Sequence, residues 1–210
     1  MSWPRLYAIV DAAVALAAGY DPPALARAYL EGGARLIQLR APGVGSSRLL
    51  AWSRAIVADA AACGGRLIVN DRGDVALLAD AGGVHLGQDD LPVEAVRALL
   101  GPERIIGLST HDAAQLADAL ARPVDYVAIG PVFETTTKTT GYAAVGLQAV
   151  GETRARAGAR PVVAIGGITL DRAPGVIAAG ASSVAVISDL LADGDPADRV
   201  RRYVDMLEDA

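Results

Sequence analysis

The sequence predicts an α/β fold and, within that class, a closed (β/α)8 barrel of parallel strands. Three observations carry this prediction. Eight short β-type runs recur along the chain, with amphipathic helical stretches between them. Each run is nearly continuous in Val, Ile, Leu and Ala, as in strands covered on both faces. Glycines gather just before several runs (Gly32-Gly33, Gly64-Gly65, Gly82-Gly83, Gly180), where a left-handed residue ends a helix. The chain has 210 residues and no linker, repeat or low-complexity segment, so it reads as one TIM barrel domain spanning 1–210. The competing architecture is an open doubly wound sheet. Its Gly-x-Gly-x-x-Gly turn is missing, since Val10-Asp11-Ala12 follows the first run.

In order, strands are expected at 6–10, 34–39, 66–69, 83–86, 105–108, 126–129, 161–165 and 183–187. Helical patterns fall at 23–31, 46–62, 93–100, 112–121 and 170–179, with a closing helix at 197–208. Ser46 and Asp112 mark helix starts, because their side chains can accept from free backbone N–H groups.

Hydrophobic residues make up 52% of the chain and charged ones 20%, which excludes disorder. No apolar run reaches the ~18 residues that cross a bilayer, so no membrane association is expected. The segment 12–18 has a faint signal-peptide flavour, but Asp11 precedes it at once. The single cysteine, Cys63, excludes an internal disulfide, fits the cytoplasm and reads as a small buried apolar residue. A net charge of −5 without a basic stripe argues against nucleic acid.

Two counts stand out. The chain has 18 arginines but one lysine, Lys138, and it has one asparagine, Asn70. Arg does not replace Lys where a compact charge must approach an oxygen closely.

In a barrel of this kind the chemistry sits past the C-terminal ends of the strands. Reading there gives Gln38 and Arg40, then Asn70 and Asp71, then Gln88, Asp89 and Asp90, then Ser109, Thr110 and His111. The longest loop, 130–144, carries Thr135-Thr136-Thr137-Lys138; strands seven and eight lead to Gly166-Gly167 and Ser188. Both rare residues thus fall on one expected rim. Gly166-Gly167 before a helix start at Thr169 reads as a phosphate site, where backbone N–H groups approach an anion, or as a tight turn that needs glycine. Asp71 and Asp90 offer hard oxygen ligands for Mg²⁺; Asp89 reads as a helix cap or a water-facing residue. The threonine-lysine loop is long enough to fold over bound phosphates. His85 and His111 lack partners at zinc-site spacing, and His111 reads as a rim packing residue.

Taken together, these segments resemble thiamine-phosphate synthase, a family related to thiazole tautomerase. The resemblance rests on Gln38-Leu39-Arg40, Val69-Asn70-Asp71-Arg72, the stretch from Gly83 through His85 to Asp90, Gly107-Leu108-Ser109-Thr110-His111, the stretch from Gly130 to Lys138, and Ala164-Ile165-Gly166-Gly167-Ile168. They run in family order from about Leu6 to Leu191. The resemblance implies a transferase of thiamine biosynthesis. It would join hydroxymethylpyrimidine diphosphate to a thiazole phosphate, or its carboxylated form, and release pyrophosphate. It also implies the site. Gln38, Leu39 and Arg40 would meet the pyrimidine diphosphate, and Asn70 and Lys138 its diphosphate. Ser109 would bond the pyrimidine. Thr135, Thr136, Thr137, Gly167, Ile187 and Ser188 would hold the thiazole phosphate. Asp71 and Asp90 would bind Mg²⁺, with Lys138, Arg40 and Ser109 as the catalytic set. A homo-oligomer is left open.

The family motif Gln-x-Arg-x-Lys is broken here by Pro42, which offers neither charge nor N–H. One diphosphate contact is therefore expected to be missing unless Arg48 or Arg172 supplies it. Two rival functions are a thiazole tautomerase, with His111 as proton shuttle, and a non-catalytic phosphate- or thiamine-binding barrel. Retention of Asn70, Asp71, Asp90 and Lys138 favours the synthase.

Overall fold

The computed structural model describes residues 3–135 and 141–208. Its strands are β1 (Leu6–Asp11), β2 (Leu36–Arg40), β3 (Arg66–Asn70), β4 (Gly83–Leu86), β5 (Ile105–Thr110), β6 (Tyr126–Ile129), β7 (Val162–Ile165) and β8 (Ser183–Val186). All pair in parallel and in sequence order, and β1 closes on β8 through Leu6 opposite Val184. The expected (β/α)8 barrel is the observed fold.

The helices are α1 (Ala12–Ala17), α2 (Pro22–Glu31), α3 (Ser46–Ala62), α4 (Gly73–Leu78), α5 (Val93–Leu100), α6 (Ala113–Ala121), α7 (Gly146–Ala157), α8 (Ala173–Ala178) and α9 (Pro196–Glu208). A short 3-10 helix, Ser188–Leu191, lies between β8 and α9. The signal-like segment is α1, and its Ala12 and Ala15 are buried. Asp112 caps α6 as expected, accepting from Ala114 N and Gln115 N at 2.9 and 2.8 Å. Ser46 is instead the first residue of α3, behind a Gly45 cap. The helix expected from Thr169 begins at Ala173, after a turn.

Strand alternation divides the apolar residues into two layers. Leu6, Ala8 and Val10 of β1, like Ile37 and Leu39 of β2, face outward into the layer under the helices. Tyr7, Ile9, Leu36, Ile68, Tyr126, Ala128, Val163 and Ala185 face inward and fill the barrel. Trp3 packs against Tyr126, with ring centroids 5.2 Å apart. Gly107 makes room for Tyr126, because a Cβ at that position would overlap the phenol ring.

Candidate active site

The same alternation aims Gln38, Arg40, Asn70, His85 and Ser109 into the barrel at its C-terminal end. There they line a cavity of about 530 Å³. Thr135, Gly166, Gly167, Arg172, Ile187 and Ser188 complete its wall from the opposite side. β5 runs two residues further than expected, which puts Ser109 on a strand rather than a loop. Leu39 has the opposite parity to Gln38 and Arg40. It is fully buried in the outer layer, so its side chain does not reach the cavity.

A chain of hydrogen bonds crosses the cavity floor. Gln38 Nε2 donates to the Tyr7 hydroxyl at 2.9 Å, and the Tyr7 and Tyr126 hydroxyls lie 3.1 Å apart. His85 Nδ1 is 2.7 Å from the Tyr126 hydroxyl, and His85 Nε2 is 2.9 Å from Ser109 Oγ. Burial raises the pKa of both tyrosines, overriding the hydrogen bonds that lower that of Tyr7, so both hydroxyls stay protonated.

Two arginines line the cavity, one from each side. Arg40 NH1 pairs with Asp11 Oδ2 at 2.5 Å, and Arg40 Nε is buried without a hydrogen-bond partner among the described residues. Asp11 is 3% exposed, and its Oδ1 also accepts from Ala13 N and Val14 N, which caps α1. Arg172 donates to Gly167 O at 2.9 Å and lies over the Phe133 ring at 4.8 Å. Arg48 sits over Trp52, 6.0 Å from the ring centroid, and does not line the cavity. Of the two candidates to replace the missing family lysine, Arg172 is the one at the cavity.

Gly166 and Gly167 have φ of +103° and +62°. A Cβ on Gly166 would lie 2.5 Å from Pro131 Cβ, and one on Gly167 would lie 2.5 Å from Glu134 O. These glycines therefore let the β6–α7 segment pack against the end of β7, where Val132 N and Phe133 N donate to Ile165 O and Gly166 O. Beyond β8, Asp189 Oδ2 accepts from Leu170 N, Arg199 NH2 and the Tyr203 hydroxyl, at 3.1, 2.6 and 2.5 Å. Those bonds tie the 3-10 helix, and Ser188 at its start, to the β7 loop and α9.

Asp71 and Asp90 lie on a neighbouring depression of the same rim, lined also by Arg72, Asp74, Asp89, Leu91 and Pro92. Asp90 Oδ2 accepts from Gly87 N at 2.6 Å. Asp89 is exposed and does not cap α5, whose cap is Pro92. Among the described residues, no three His, Cys, Asp or Glu groups are gathered to hold a metal ion. His111 Nδ1 donates to Gly130 O at 2.5 Å, and its ring stacks on Tyr142 at 3.8 Å. It also lines the cavity, so this rim residue faces the site as well as packing beside it.

The structure thus gathers Gln38, Arg40, Asn70, Ser109, Thr135, Gly167, Ile187 and Ser188 around one cavity, with Asp71 and Asp90 beside it. Thr136, Thr137 and Lys138 lie outside the described residues. Sequence reasoning missed Asp11, Tyr7, Tyr126 and the place of His85. Asp11 stands at the end of β1, where the rim rule that found the other polar residues also applies. The tyrosines share inward parity with Ile9 and Ala128.

Comparison with known proteins places the fold and the sequence in one family. The model of the thiamine monophosphate synthase family matches residues 6–190. A thiamine-phosphate synthase of Anaeromyxobacter dehalogenans is 47% identical over 180 residues, 85% of this chain and 79% of the relative. One from Koribacter versatilis is 41% identical over 209 residues, 97% of this chain and 96% of the relative. A solved thiamine phosphate pyrophosphorylase from Pyrococcus furiosus superposes with a TM-score of 0.88 at 30% identity, covering 98% of this chain and 96% of that one.

Proposed function

The chain belongs to the thiamine monophosphate synthase family, and from that premise we propose that it is a transferase that makes thiamine phosphate. It joins an aminopyrimidine methyl diphosphate to a thiazole phosphate and releases pyrophosphate. The observation that carries this reading is the single cavity lined by Gln38, Arg40, Asn70 and Ser109 on one side and by Thr135, Gly167 and Ser188 on the other. A two-substrate reaction needs both recognition surfaces in one enclosure.

Gln38 and Ser109 hold the pyrimidine ring. Arg40, whose buried Nε has no hydrogen-bond partner among the described residues, and Arg172 face the diphosphate, and the role of a further diphosphate contact is assigned to Lys138. The Gly167 backbone, Ser188, Ile187 and Thr135–Thr137 hold the thiazole phosphate. The pyrimidine amino group feeds electron density toward the exocyclic carbon. The C–O bond to diphosphate therefore breaks first, its electron pair leaving with pyrophosphate. The thiazole nitrogen then donates its lone pair to form the C–N bond. Neither step asks the protein for a nucleophile. Its residues stabilise charge on the departing diphosphate and align the nitrogen.

Magnesium belongs to the same proposal. Asp71 and Asp90, two of the four carboxylates on one depression, fit a cation that takes one or two protein carboxylates and fills its shell with water and phosphate oxygens. When bound, Mg²⁺ would neutralise charge on the diphosphate. A reducing cytoplasmic setting is also proposed, since Cys63 is a free thiol. No helix among the described residues is long and apolar enough to cross a membrane.

The test is turnover with both substrates in the wild type, Lys138→Ala and Asp71→Ala, with and without Mg²⁺ after stringent chelation. The wild type should form thiamine phosphate only with the metal, and both variants should lose most of the rate. Synthesis in chelated buffer would refute the magnesium assignment. Thiazole tautomerisation without coupling would refute the synthase reading.

A further inference from the structure

We propose that Tyr7, Tyr126 and His85 are positioning residues that set Gln38 and Ser109 to opposite hydrogen-bonding characters, one acceptor and one donor, matching the amino and ring-nitrogen edge of an aminopyrimidine. This inference rests on the aminopyrimidine reading above.

A proton count along the floor fixes these characters. Gln38 Nε2 donates to Tyr7, which leaves the Gln38 Oε1 as an acceptor. Tyr7 has one proton. Among the described residues its hydroxyl is bonded to Gln38 and Tyr126, so that proton goes to the Tyr126 oxygen. Tyr126 then donates to His85 Nδ1. With a neutral imidazole, which is part of this proposal, His85 is thereby the Nε2–H tautomer, and Nε2–H donates to Ser109 Oγ. Ser109 has now accepted, and its own proton is available to a ligand. The result is an acceptor at one end of the chain and a donor at the other. Reversing only part of the chain strands a proton on a fully buried phenol, which is costly. Reversing all of it, by rotating the Gln38 amide, exchanges the two characters and keeps them opposite. The floor therefore accommodates an edge with one donor and one acceptor, whichever end takes which.

Three features hold this chain in place. The Tyr7 and Tyr126 rings meet edge to face at 6.1 Å, and the His85 ring stacks on Tyr126 at 5.6 Å. Gly107 leaves the space that Tyr126 occupies. Burial keeps both phenols protonated, so the Tyr7–Tyr126 link is a neutral hydrogen bond.

The experiment uses the whole chain with ¹⁵N-labelled histidine. The chain has two histidines, and the His111→Asn spectrum identifies the His85 signals. In the wild type His85 should show a single neutral tautomer, protonated at Nε2 in the orientation described. Tyr126→Phe should leave the barrel folded, mix the two tautomers, and lower kcat/KM for the pyrimidine diphosphate about tenfold, equivalent to about 1.4 kcal/mol. The KM for the thiazole phosphate should stay within about twofold, since the chain does not reach that side. Tyr7→Phe cuts the same chain from the Gln38 side and should lower the same constant, which keeps the test open should Tyr126→Phe fail to fold. A mixed tautomer in the wild type would overturn the proposal. So would folded variants with unchanged pyrimidine constants, or with both substrates affected equally. Wild-type turnover with the two substrates tests the underlying reading separately.

Discussion

Asp11 has two tasks on two oxygens, and two substitutions separate them. Oδ1 caps α1 by accepting from Ala13 N and Val14 N at 3.1 and 3.2 Å. Oδ2 pairs with Arg40 at 2.5 Å. Asp11→Asn keeps an oxygen for the cap and removes the charge. A hydrogen bond to a charged group contributes about 1.5–3 kcal/mol, and the lower end applies because the Arg40 side chain is 20% exposed at the cavity. A loss of about 1.5–2 kcal/mol in a domain of this size lowers Tm by about 3–8 °C. Asp11→Ala removes the cap as well and should cost about 1 kcal/mol more. Arg40 then loses its anchor in both variants. The KM for the pyrimidine diphosphate should rise at least about threefold, that for the thiazole phosphate staying constant. Thermal melts and steady-state kinetics on both variants read these outcomes. Equal melting points for the two would refute the cap. An Asn variant with wild-type Tm and wild-type KM would refute the ion pair as the anchor of Arg40.

Other perturbations follow from the same geometry. Gly107→Ala forces Tyr126 out of its seat and should cost about 1–3 kcal/mol by overpacking, read as a lowered urea midpoint together with lost pyrimidine specificity. Gly167→Ala places a Cβ 2.5 Å from Glu134 O at a φ of +62°; it should raise the KM for the thiazole phosphate more than that for the pyrimidine diphosphate, and the reverse order would refute the placement. Pro42→Lys should lower the KM for the pyrimidine diphosphate, and an unchanged value would assign that contact to Arg172. The Arg72 guanidinium, bonded to Asp74 at 2.6 and 2.8 Å, holds the Asp74 carboxyl below the usual range. Because the folded value is depressed, the pair's contribution is full above the unfolded carboxylate pKa and fades as pH falls through the folded one. Both side chains are exposed, so Asp74→Asn should cost no more than about half a kcal/mol at pH 7, and the gap in Tm should narrow toward pH 3.

The strands were legible because each is an uninterrupted apolar run, and a closed parallel barrel buries both faces of every strand. Helices α1, α4 and α7 were harder to read. The first two are six residues long, too short for a helical period to repeat, and α7 begins at a positive-φ Gly146 without a capping side chain. The rim was legible from the strand ends alone, which is how Gln38, Arg40, Asn70, Ser109 and Ser188 were found. The parity of Leu39 followed from strand alternation too, yet the motif around it obscured that reading. What the sequence could not display is the floor. Tyr7, Tyr126 and His85 come from three strands, and 119 residues separate the two tyrosines whose hydroxyls meet. Only closure of the barrel brings them together.

The central claim is that one mouth holds both substrates, with Asp71 and Asp90 beside the diphosphate. A crystal structure with thiamine phosphate, pyrophosphate and Mg²⁺ soaked together tests it most directly. The account predicts the pyrimidine ring against Gln38 and Ser109, the ester phosphate at Gly167 and Ser188, and the metal held by Asp71 and Asp90. Density for the product outside this mouth, or a metal held by other residues, would contradict it.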